Sequence, residues 1–376
     1  AEACVEALRR AYDDAKVDPS TVGLLECHAS GDAKEDRSEA SALVDFFGVA
    51  EAELPLALSS SKSVIGHAGA AAGLAGLVKA ALSLYQEILP AGPAIVNPIS
   101  PLASARKRFH SPRRASYWLR NRADGPRRAG VTSLGIDGGV VHAVLEQFER
   151  EGSDPLVEDE RRQPLGARAE ALFAVEAADP SALVAGLTAL IDWAATQEPG
   201  DGIEALARRW WIKRGASPES PLACALVARD WKELLALARL AADSARDNPE
   251  RPLASDRAYL TTRKPLGGGL AFVFPGSGNQ YLGMTATLGA QWPEILRQQD
   301  IENGHLRQQM TPARVAPWRL AFEPGWEAKA ESELNADYHA LIFASVAHGT
   351  VTSDLMRSFG VNPTAVVGYS LGETAG

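Results

Sequence analysis

The sequence Val366-Val367-Gly368-Tyr369-Ser370-Leu371-Gly372-Glu373 sets a G-x-S-x-G pentapeptide directly after a short β-branched run. The apolar run predicts a buried strand, and the two glycines allow the sharp turn of a nucleophile elbow. Such a turn holds the serine hydroxyl clear of the sheet, at the start of a helix whose amide groups can stabilise an oxyanion. We therefore expect Ser370 to be a nucleophile in an α/β fold.

The chain before this elbow carries further parts of the same architecture. Residues 269–280 read GLAFVFPGSGNQ, an apolar strand pattern that ends in a Pro-Gly turn with exposed amides. From Leu341 to Phe359 apolar residues recur at three- and four-residue spacing, which predicts a helix that ends near Gly360. Strand, turn, helix, strand and elbow together are the parts of an acyl-transfer site.

A second group of candidate residues lies near the amino-terminal end. The run Val22-Gly23-Leu24-Leu25-Glu26-Cys27-His28 predicts an apolar strand that ends in a histidine. Residues 59–76 form a polar turn with Lys62 and His67 and then enter a helix of small residues. A lone histidine at a strand end is more often structural than catalytic. Two histidines and a lysine at such turns, however, predict a catalytic site.

The paired segments Phe-Pro-Gly-x-Gly-x-Gln and Gly-x-Ser-Leu-Gly-Glu closely resemble the acyltransferase domain of type I polyketide and fatty acid synthases, over residues 268–376. The resemblance implies that Ser370 is acylated by an acyl-coenzyme A, usually malonyl-coenzyme A. The serine then passes the acyl group to the phosphopantetheine thiol of an acyl carrier protein. The backbone amides of Ser277 and Leu371 match those of the oxyanion hole in this family.

Two features of this region depart from the family pattern. Tyr369 stands where a histidine is usual, a variant of polyunsaturated fatty acid synthase-like systems. The family's histidine base and malonyl-binding arginine come later in the chain than Gly376, so the resemblance implies an incomplete acyltransferase. We predict that the histidines before the elbow are surface or helix-packing residues, because geometry rather than presence defines a base. They are His305, His339 and His348.

The amino-terminal segments resemble the C-terminal half of a β-ketoacyl synthase, which carries out decarboxylative condensation with one cysteine and two histidines. The resemblance implies that His28 and His67 stabilise the thioester enolate and assist decarboxylation, and that Lys62 supports them. Asp36 and Glu39 match the acidic pair that follows the first histidine. The family's reactive cysteine lies well before the first histidine. Cys27 is therefore predicted to be a small buried residue rather than that nucleophile.

Two loops differ from the ketosynthase pattern. Ala29-Ser30-Gly31-Asp32 replaces the Gly-Thr-Gly-Thr that lines the pantetheine channel, and residues 133–142 replace the loop that gates the cysteine. An active condensing enzyme and a degenerate ketosynthase that acts as a scaffold for dimerisation or carrier docking both remain open. A serine hydrolase of the α/β class would also need an elbow, but the ketosynthase-like half has no place in one.

The resemblances predict three regions within an α/β fold class. Residues 1–150 are the C-terminal half of a thiolase-like β-ketoacyl synthase, residues 151–263 a small α/β linker domain, and residues 264–376 the start of an α/β-hydrolase-like acyltransferase core. A strand-then-helix pattern occurs twice in the middle region, at residues 172–195 and 222–245. We expect this linker to hold its neighbours at a fixed distance.

Composition limits the classes of partner. The chain has 376 residues and a formal net charge of −9, which argues against non-specific nucleic-acid binding. A basic run at residues 106–128 is either a solvated loop or a docking patch for an acidic carrier protein. The three cysteines, Cys4, Cys27 and Cys224, show neither a disulfide framework nor metal-ligand spacing, which is typical of a reducing cytoplasm.

The remaining expectations concern cofactors, partners and location. The sequence contains no membrane-spanning segment and no glycine-rich dinucleotide fingerprint, so we expect no membrane span, no metal and no directly bound cofactor. The resemblance implies an acyl carrier protein and an acyl-coenzyme A as partners. It also implies a homodimer formed through the complete ketosynthase, and a cytoplasmic protein.

Overall fold

The computed structural model describes residues 1–48, 55–93, 95, 97–105, 108–120, 122–148, 163–166, 168–197, 202–215, 220–247, 253, 255–261, 268–279, 286–302, 328, 331–332 and 335–376. They form two compact units, Ala1–Gly166 with Gly269–Gly376, and Ala167–Gly268. The predicted boundaries at residues 150/151 and 263/264 lie outside the described residues, as do Arg106 and His305. The division into three domains therefore stays a prediction.

The amino-terminal part of the first unit is built on a mixed sheet. Its strands are β1 (Leu24–Glu26), β2 (Leu56–Ser59), β4 (Phe109–His110), β6 (Arg128–Leu134) and β7 (Val140–Glu146), while β3 (Ile88–Leu89) and β5 (Ser116–Tyr117) pair separately. The order in the sheet is β4-β2-β1-β6-β7. Neighbouring strands are parallel, except that β7 is antiparallel to β6. The central strand β1 thus lies between two parallel partners.

Helices cover both faces of this sheet, as parallel sheets require. They are α1 (Glu2–Ala15), α2 (Ala33–Phe47), α3 (Lys62–Ile65), α4 (Ala72–Gln86) and α5 (Ser100–Ser104). Leu25 packs in one apolar cluster with Phe47 of α2, and Leu24 packs in another with Leu84 of α4. Successive strand residues point to opposite faces. The apolar run predicted as a strand is consequently buried on both sides.

The carboxy-terminal part of the first unit has two parallel strands, β11 (Ala271–Phe274) and β12 (Ala365–Gly368). Its helices are α9 (Ala286–Gln291), α10 (Pro293–Glu302), α11 (Tyr338–Ser358) and α12 (Gly372–Ala375). The helix predicted from Leu341 to Phe359 is present as α11. It ends before Gly360, whose φ of 79° lies in the left-handed region. The predicted order of strand, helix and strand is confirmed, but the expected burial of the second strand is wrong. In the described part of the chain β12 pairs with β11 alone, and its Val366 and Val367 are 42% and 53% exposed.

The second unit is a small α/β module. An antiparallel sheet in the order β10-β9-β8 is formed by β8 (Ala171–Ala177), β9 (Leu222–Ala228) and β10 (Ala258–Thr261). Alternate residues of β8 and β9 are buried, and they pack against α6 (Pro180–Ala195) and α8 (Trp231–Asp247). A further helix, α7, spans Ile203–Arg214. Its Trp210 Nε1–H donates to the Ala174 carbonyl of β8 at 2.9 Å. The two predicted strand-helix repeats are confirmed.

A buried ion-pair cluster joins the two parts of the first unit. Asp300 of α10 accepts hydrogen bonds from the Arg122 guanidinium at 3.1 and 3.3 Å. The Arg127 guanidinium also approaches Asp300, at 3.4 Å, and donates to the Tyr117 hydroxyl at 2.7 Å. Because these side chains are largely buried, we expect the cluster to be important for stability.

Among the helices that the structure describes, none could cross a membrane.

Candidate active site

His28 lies just past the end of β1, where the carboxyl ends of the parallel strands meet. The residue is only 5% exposed. Its Nδ1 accepts the backbone N–H of Leu134, the last residue of β6, at 3.1 Å. Lys62 at the start of α3 donates to the His28 carbonyl at 2.5 Å, and its Nζ lies 3.5 Å from Nδ1. Three neighbouring segments therefore meet at one imidazole.

His67 lies on the loop between α3 and α4, and its side chain is exposed. The two imidazole rings are 5.7 Å apart, centroid to centroid, at an interplanar angle of 80°. The Nδ1 of His67 accepts the backbone N–H of Gly69 at 3.1 Å. The structure thus brings together the three residues predicted for this site, His28, His67 and Lys62.

These hydrogen bonds determine which ring nitrogen carries the proton. A neutral imidazole has one donor nitrogen and one acceptor nitrogen. In both His28 and His67, Nδ1 is the acceptor of a backbone N–H, so the proton of the neutral ring is on Nε2. Burial, followed by the Lys62 charge, lowers the pKa of His28. His28 is therefore neutral at physiological pH and presents an Nε2–H donor.

Two acidic residues of α2 shape the turn after His28. The buried carboxylate of Glu39 accepts the backbone N–H groups of His28 at 2.7 Å and Ala29 at 2.8 Å. Ala29 has a φ of 39°, which lies in the left-handed region, so these bonds hold a turn that alanine rarely adopts. Burial raises the pKa of Glu39. Asp36 contacts the next residues, accepting from Gly31 N–H at 3.3 Å.

Asp32, a departure from the ketosynthase pattern, acts as a helix cap. Its side chain accepts the backbone N–H groups of Lys34 at 2.9 Å and Glu35 at 3.1 Å, at the start of α2. An acidic side chain at this position stabilises the helix N-terminus. The charge of Asp32 is thus directed toward helix amides, and the substitution alone does not disrupt the His28 turn.

The structure reveals one buried group that sequence reasoning missed. Glu26, at the end of β1, is 2% exposed and forms an ion pair with Lys79 of α4, at 3.1 Å. The available signal was an acidic residue within an otherwise apolar strand, because a carboxylate at such a position needs a buried partner. Which cation would pair with it was not evident from the sequence.

None of the chain's three cysteines suits the role of a thiolate nucleophile. Burial raises the pKa of Cys4 to about 11 and that of Cys224 to about 12. Burial also raises the pKa of Cys27 well above its ordinary value. A reactive cysteine needs a lowered pKa. Cys27, predicted to be a small buried residue, is half-buried and packs against the apolar cluster of α1 and α2.

Ser370 lies on the turn between β12 and α12, with a φ of 54°. A left-handed conformation is uncommon for serine and matches a nucleophile elbow. The flanking glycines are required by close packing. A Cβ at Gly368 would collide with the Glu373 backbone, and one at Gly372 would collide with the Phe274 carbonyl oxygen. The turn is therefore held by backbone contacts and carries an exposed Ser370.

The turn after β11 lies against this elbow. Tyr369 N–H donates to the Phe274 carbonyl at 3.1 Å, and a Cβ on Gly276 would come within 2.9 Å of the Tyr369 ring. Ser277 follows Gly276 directly. Within the described part of the chain, neither the Ser277 nor the Leu371 amide donates a backbone hydrogen bond. The oxyanion-hole role of these two amides stays a prediction.

The described histidines of α11 differ in environment. Burial lowers the pKa of His348 to about 4, and His339 is exposed. His142 of β7 lies in another cluster, where its Nδ1 is 2.9 Å from Thr132 Oγ1 and burial lowers its pKa to about 4. In the part of the chain that the structure describes, no group of acidic, histidine and cysteine side chains could hold a metal ion.

Sequence comparison finds a family similar to the region that contains the His28 site. Residues 1–95 match the family described as beta-ketoacyl synthase, C-terminal domain. This match shows a β-ketoacyl synthase C-terminal region at the amino-terminal end of the chain. The matched region contains every side chain of the His28 cluster, and the ketosynthase part of the predicted fold is confirmed.

Similarity to longer proteins extends over the rest of the chain. It is 31% identical to a mycocerosic acid synthase-like polyketide synthase of Mycobacterium tuberculosis, over 99% of this chain and 16% of that protein. It is 27% identical to a polyunsaturated fatty acid synthase protein of Thraustochytrium sp., over 98% of this chain and 14% of that protein. The chain therefore spans less than a fifth of either relative. The predicted resemblance to type I synthases is confirmed.

A solved ketosynthase from module 6 of the bacillaene synthase of Bacillus subtilis 168 also matches. The sequence identity is 21% and the TM-score 0.37, over 90% of this chain and 53% of that one.

Proposed function

We propose that the first region supplies the decarboxylating part of a β-ketoacyl synthase site. One observation carries the proposal: two histidine rings 5.7 Å apart both present Nε2–H donors at the same edge of the sheet. The substrate would be a malonyl thioester on the phosphopantetheine of an acyl carrier protein. Its thioester carbonyl oxygen would accept both donors.

The donors would act on the charge that develops during decarboxylation. The bond between the malonyl carboxylate and its methylene carbon breaks, carbon dioxide leaves, and the electron pair forms an enolate. The negative charge on the enolate oxygen is then stabilised by the Nε2–H groups of His28 and His67. Because burial and Lys62 lower the pKa of His28, that ring stays neutral and donates a hydrogen bond without transferring its proton.

Condensation would complete the reaction. The enolate carbon attacks the carbonyl of an acyl thioester, a carbon–carbon bond forms, and the cysteine thiolate leaves. Cys4, Cys27 and Cys224 have raised pKa values and lie among packed residues, so another segment would have to supply that thiol. A scaffold without condensing activity remains the alternative, supported by the altered loop at residues 133–142.

The test is release of carbon dioxide from a malonyl-loaded carrier protein by the full-length protein. His28→Ala and His67→Ala should each lower the rate by about 10²- to 10³-fold, the usual cost of removing one oxyanion donor. His339→Ala is the matched control, because this histidine is exposed and lies on α11. Rates within about threefold of wild type for both site variants would overturn the proposal and favour the scaffold.

We also propose that Ser370 is the nucleophile of an acyltransferase. The left-handed φ of Ser370 and the close contacts at Gly368 and Gly372 support this function. The Ser370 hydroxyl would attack the thioester of malonyl-coenzyme A, the coenzyme A thiolate would leave, and the Ser277 and Leu371 amides would stabilise the intermediate oxyanion. A base outside the described residues would take the hydroxyl proton, and the acyl group would pass to the carrier thiol.

Intact-mass analysis tests the second function directly. Full-length protein incubated with malonyl-coenzyme A should gain one malonyl group, and Ser370→Ala should gain none. Ser353→Ala, on α11, is a control of the same chemistry away from the elbow. No adduct on folded wild-type protein, with malonyl or other acyl-coenzyme A donors, would refute the acyltransferase assignment.

A further inference from the structure

Glu26 occupies an unusual position for a carboxylate. It ends the central strand β1 between two parallel neighbours, and it is 2% exposed. Strand residues in such sheets are normally apolar, and a buried charge is retained only with partners. The position of Glu26, two residues before His28, places these partners next to the proposed active site.

The partners of Glu26 come from two other segments. One carboxylate oxygen accepts the backbone N–H of Ser61, and the other lies 3.1 Å from Lys79 Nζ. Lys79 Nζ also donates to the Ser59 hydroxyl at 2.6 Å. Gly76 makes room for the acid, since a Cβ there would lie 2.9 Å from Glu26 Cγ. The strand β1, the turn after β2 and the helix α4 are tied together at one carboxylate.

The turn after β2, whose Ser61 amide binds Glu26, also carries Lys62. Ser61 is the residue before Lys62, so the bond from its amide to Glu26 fixes the backbone from which the lysine side chain extends. The Lys62 ammonium reaches back to the His28 carbonyl and lies 3.5 Å from His28 Nδ1. A continuous set of polar contacts therefore runs from Lys79 through Glu26 and Ser61 to Lys62 and His28.

We propose that Glu26, held by Lys79, is a positioning residue that fixes the Lys62 ammonium against His28. Glu26 does not touch the reacting groups; it acts through Lys62. The catalytic importance of Glu26 rests on the proposed ketosynthase function of His28 and Lys62. The effect of Glu26 on the position of Lys62 beside His28, which we call the coupling, does not depend on that function.

The coupling can be measured as the pKa of His28 by NMR titration of the full-length protein. The charged groups around His28 are Lys62 and His67, which lower its pKa, and Glu35 and Asp36 of α2, which raise it. Displacing Lys62 should therefore raise the pKa of His28. Removing a negative charge without moving Lys62 should lower it or leave it unchanged, so the sign separates the two effects.

The deciding variant is Glu26→Leu, which leaves the Ser61 amide without its acceptor. We expect the pKa of His28 to rise by about 0.5 or more, with the titration of His142 in the same sheet unchanged. Glu26→Gln keeps an acceptor and should give a smaller rise. The matched control is Glu35→Gln, which removes one nearby carboxylate with no contact to Ser61 and should not raise the pKa.

An unchanged or lowered pKa of His28 in a folded Glu26 variant would overturn the proposal. A parallel change at His142 would also overturn it, because it would indicate a general loosening of the sheet. If Glu26→Leu does not fold, the same criterion applies to Glu26→Gln. The titration needs no turnover, so it separates failure of this coupling from failure of the ketosynthase function, which the carbon dioxide assay measures.

Discussion

The His28 site and the Ser370 site both lie at the carboxyl ends of parallel strands, but they are held in different ways. Buried side chains fix the first: Glu39 binds the amides of His28 and Ala29, and Glu26 binds the amide of Ser61. Backbone packing fixes the second, through the contacts that Gly368 and Gly372 allow. The first site depends on charges brought from distant elements, whereas the second depends on local chain geometry.

This difference determines which substitutions should matter. In the His28 region, loss of one buried carboxylate should alter the site without any change in its own reactive groups. In the Ser370 region, side chains beside the nucleophile should be replaceable as long as the backbone is preserved. Substitutions in both regions test this contrast, and their expected effects range from several kcal/mol to about 1 kcal/mol.

The largest effect is expected at the ion-pair cluster that joins the two regions. Asp300→Asn removes the carboxylate that Arg122 and Arg127 share, and leaves Glu87, at 3.4 Å, as the remaining acidic partner of the buried Arg127. Breaking a buried pair on one side costs about 3–5 kcal/mol, so the unfolding free energy should fall by that amount. Denaturant unfolding measures it. Asp243→Asn, which breaks an exposed pair with Arg246, should cost less than about 1 kcal/mol. An equal decrease in unfolding free energy for Asp300→Asn and Asp243→Asn would contradict the expectation that the buried cluster is important for stability.

The next effect concerns the backbone donor beside Ser370. Ser277→Pro removes the amide N–H, and Ser277→Ala keeps it. The rate of malonyl-adduct formation should fall about 10²- to 10³-fold in the proline variant. It should be nearly unchanged in the alanine variant. Mass spectrometry over time gives both rates. A lower rate of adduct formation in Ser277→Ala would show that the Ser277 hydroxyl contributes, and would contradict the assignment of this role to the backbone amide.

The unfolding free energy should decrease as the pH is lowered, because each of the two regions contains a buried histidine with a lowered pKa. Burial lowers the pKa of His142 and of His348 to about 4, from 6.5. The unfolded state therefore binds protons first. This stability is complete above about pH 6.5 and is lost progressively as the pH falls toward about 4. Each histidine should remove about 2 kcal/mol between about pH 7 and 5.

Glutamine variants separate the two contributions. His142→Gln and His348→Gln should each reduce the pH dependence of the unfolding free energy, measured by denaturant titration at both pH values. His339→Gln is the control, because His339 is exposed on α11. A pH dependence that neither variant reduces would show that these buried rings do not set it.

The smallest effect is expected at Asp32. Asp32→Ala removes the cap of α2 and should lower the unfolding free energy by about 1 kcal/mol. The pKa of His28 should stay the same, since the Asp32 side chain binds helix amides. Lys34→Ala, in the same helix turn, should cost less. A changed His28 titration in Asp32→Ala would place this charge in the site and strengthen the degenerate-ketosynthase alternative.

Much of the fold could be predicted from local patterns. The run ending in His28, the helix α11 and the Ser370 elbow all rest on periodicity and turn residues within short windows. The site of His28, His67 and Lys62 could be predicted because two histidines and a lysine at such turns are typical of a catalytic site. The family resemblance added the chemical role of each residue.

The pairing of buried charges could not be predicted in the same way. Glu26 pairs with Lys79, and Asp300 pairs with guanidiniums more than a hundred residues away in sequence. Such partners depend on the packing of whole elements, and many charged side chains in the sequence could have served. The capping of α2 by Asp32 was not predicted either, because the resemblance marks this position only as one where the ketosynthase pattern has a hydroxyl residue.

The central claim is that His28 and His67, whose rings lie 5.7 Å apart, both carry an Nε2–H donor. Long-range nitrogen–proton NMR of the imidazoles at about pH 8, where ordinary histidines are neutral, reads the tautomer of each ring directly. We predict the Nε2–H tautomer for both residues. An Nδ1–H tautomer at either ring would contradict this claim, because that nitrogen would then compete with the amide of Leu134 or Gly69, and only one donor would remain for the enolate.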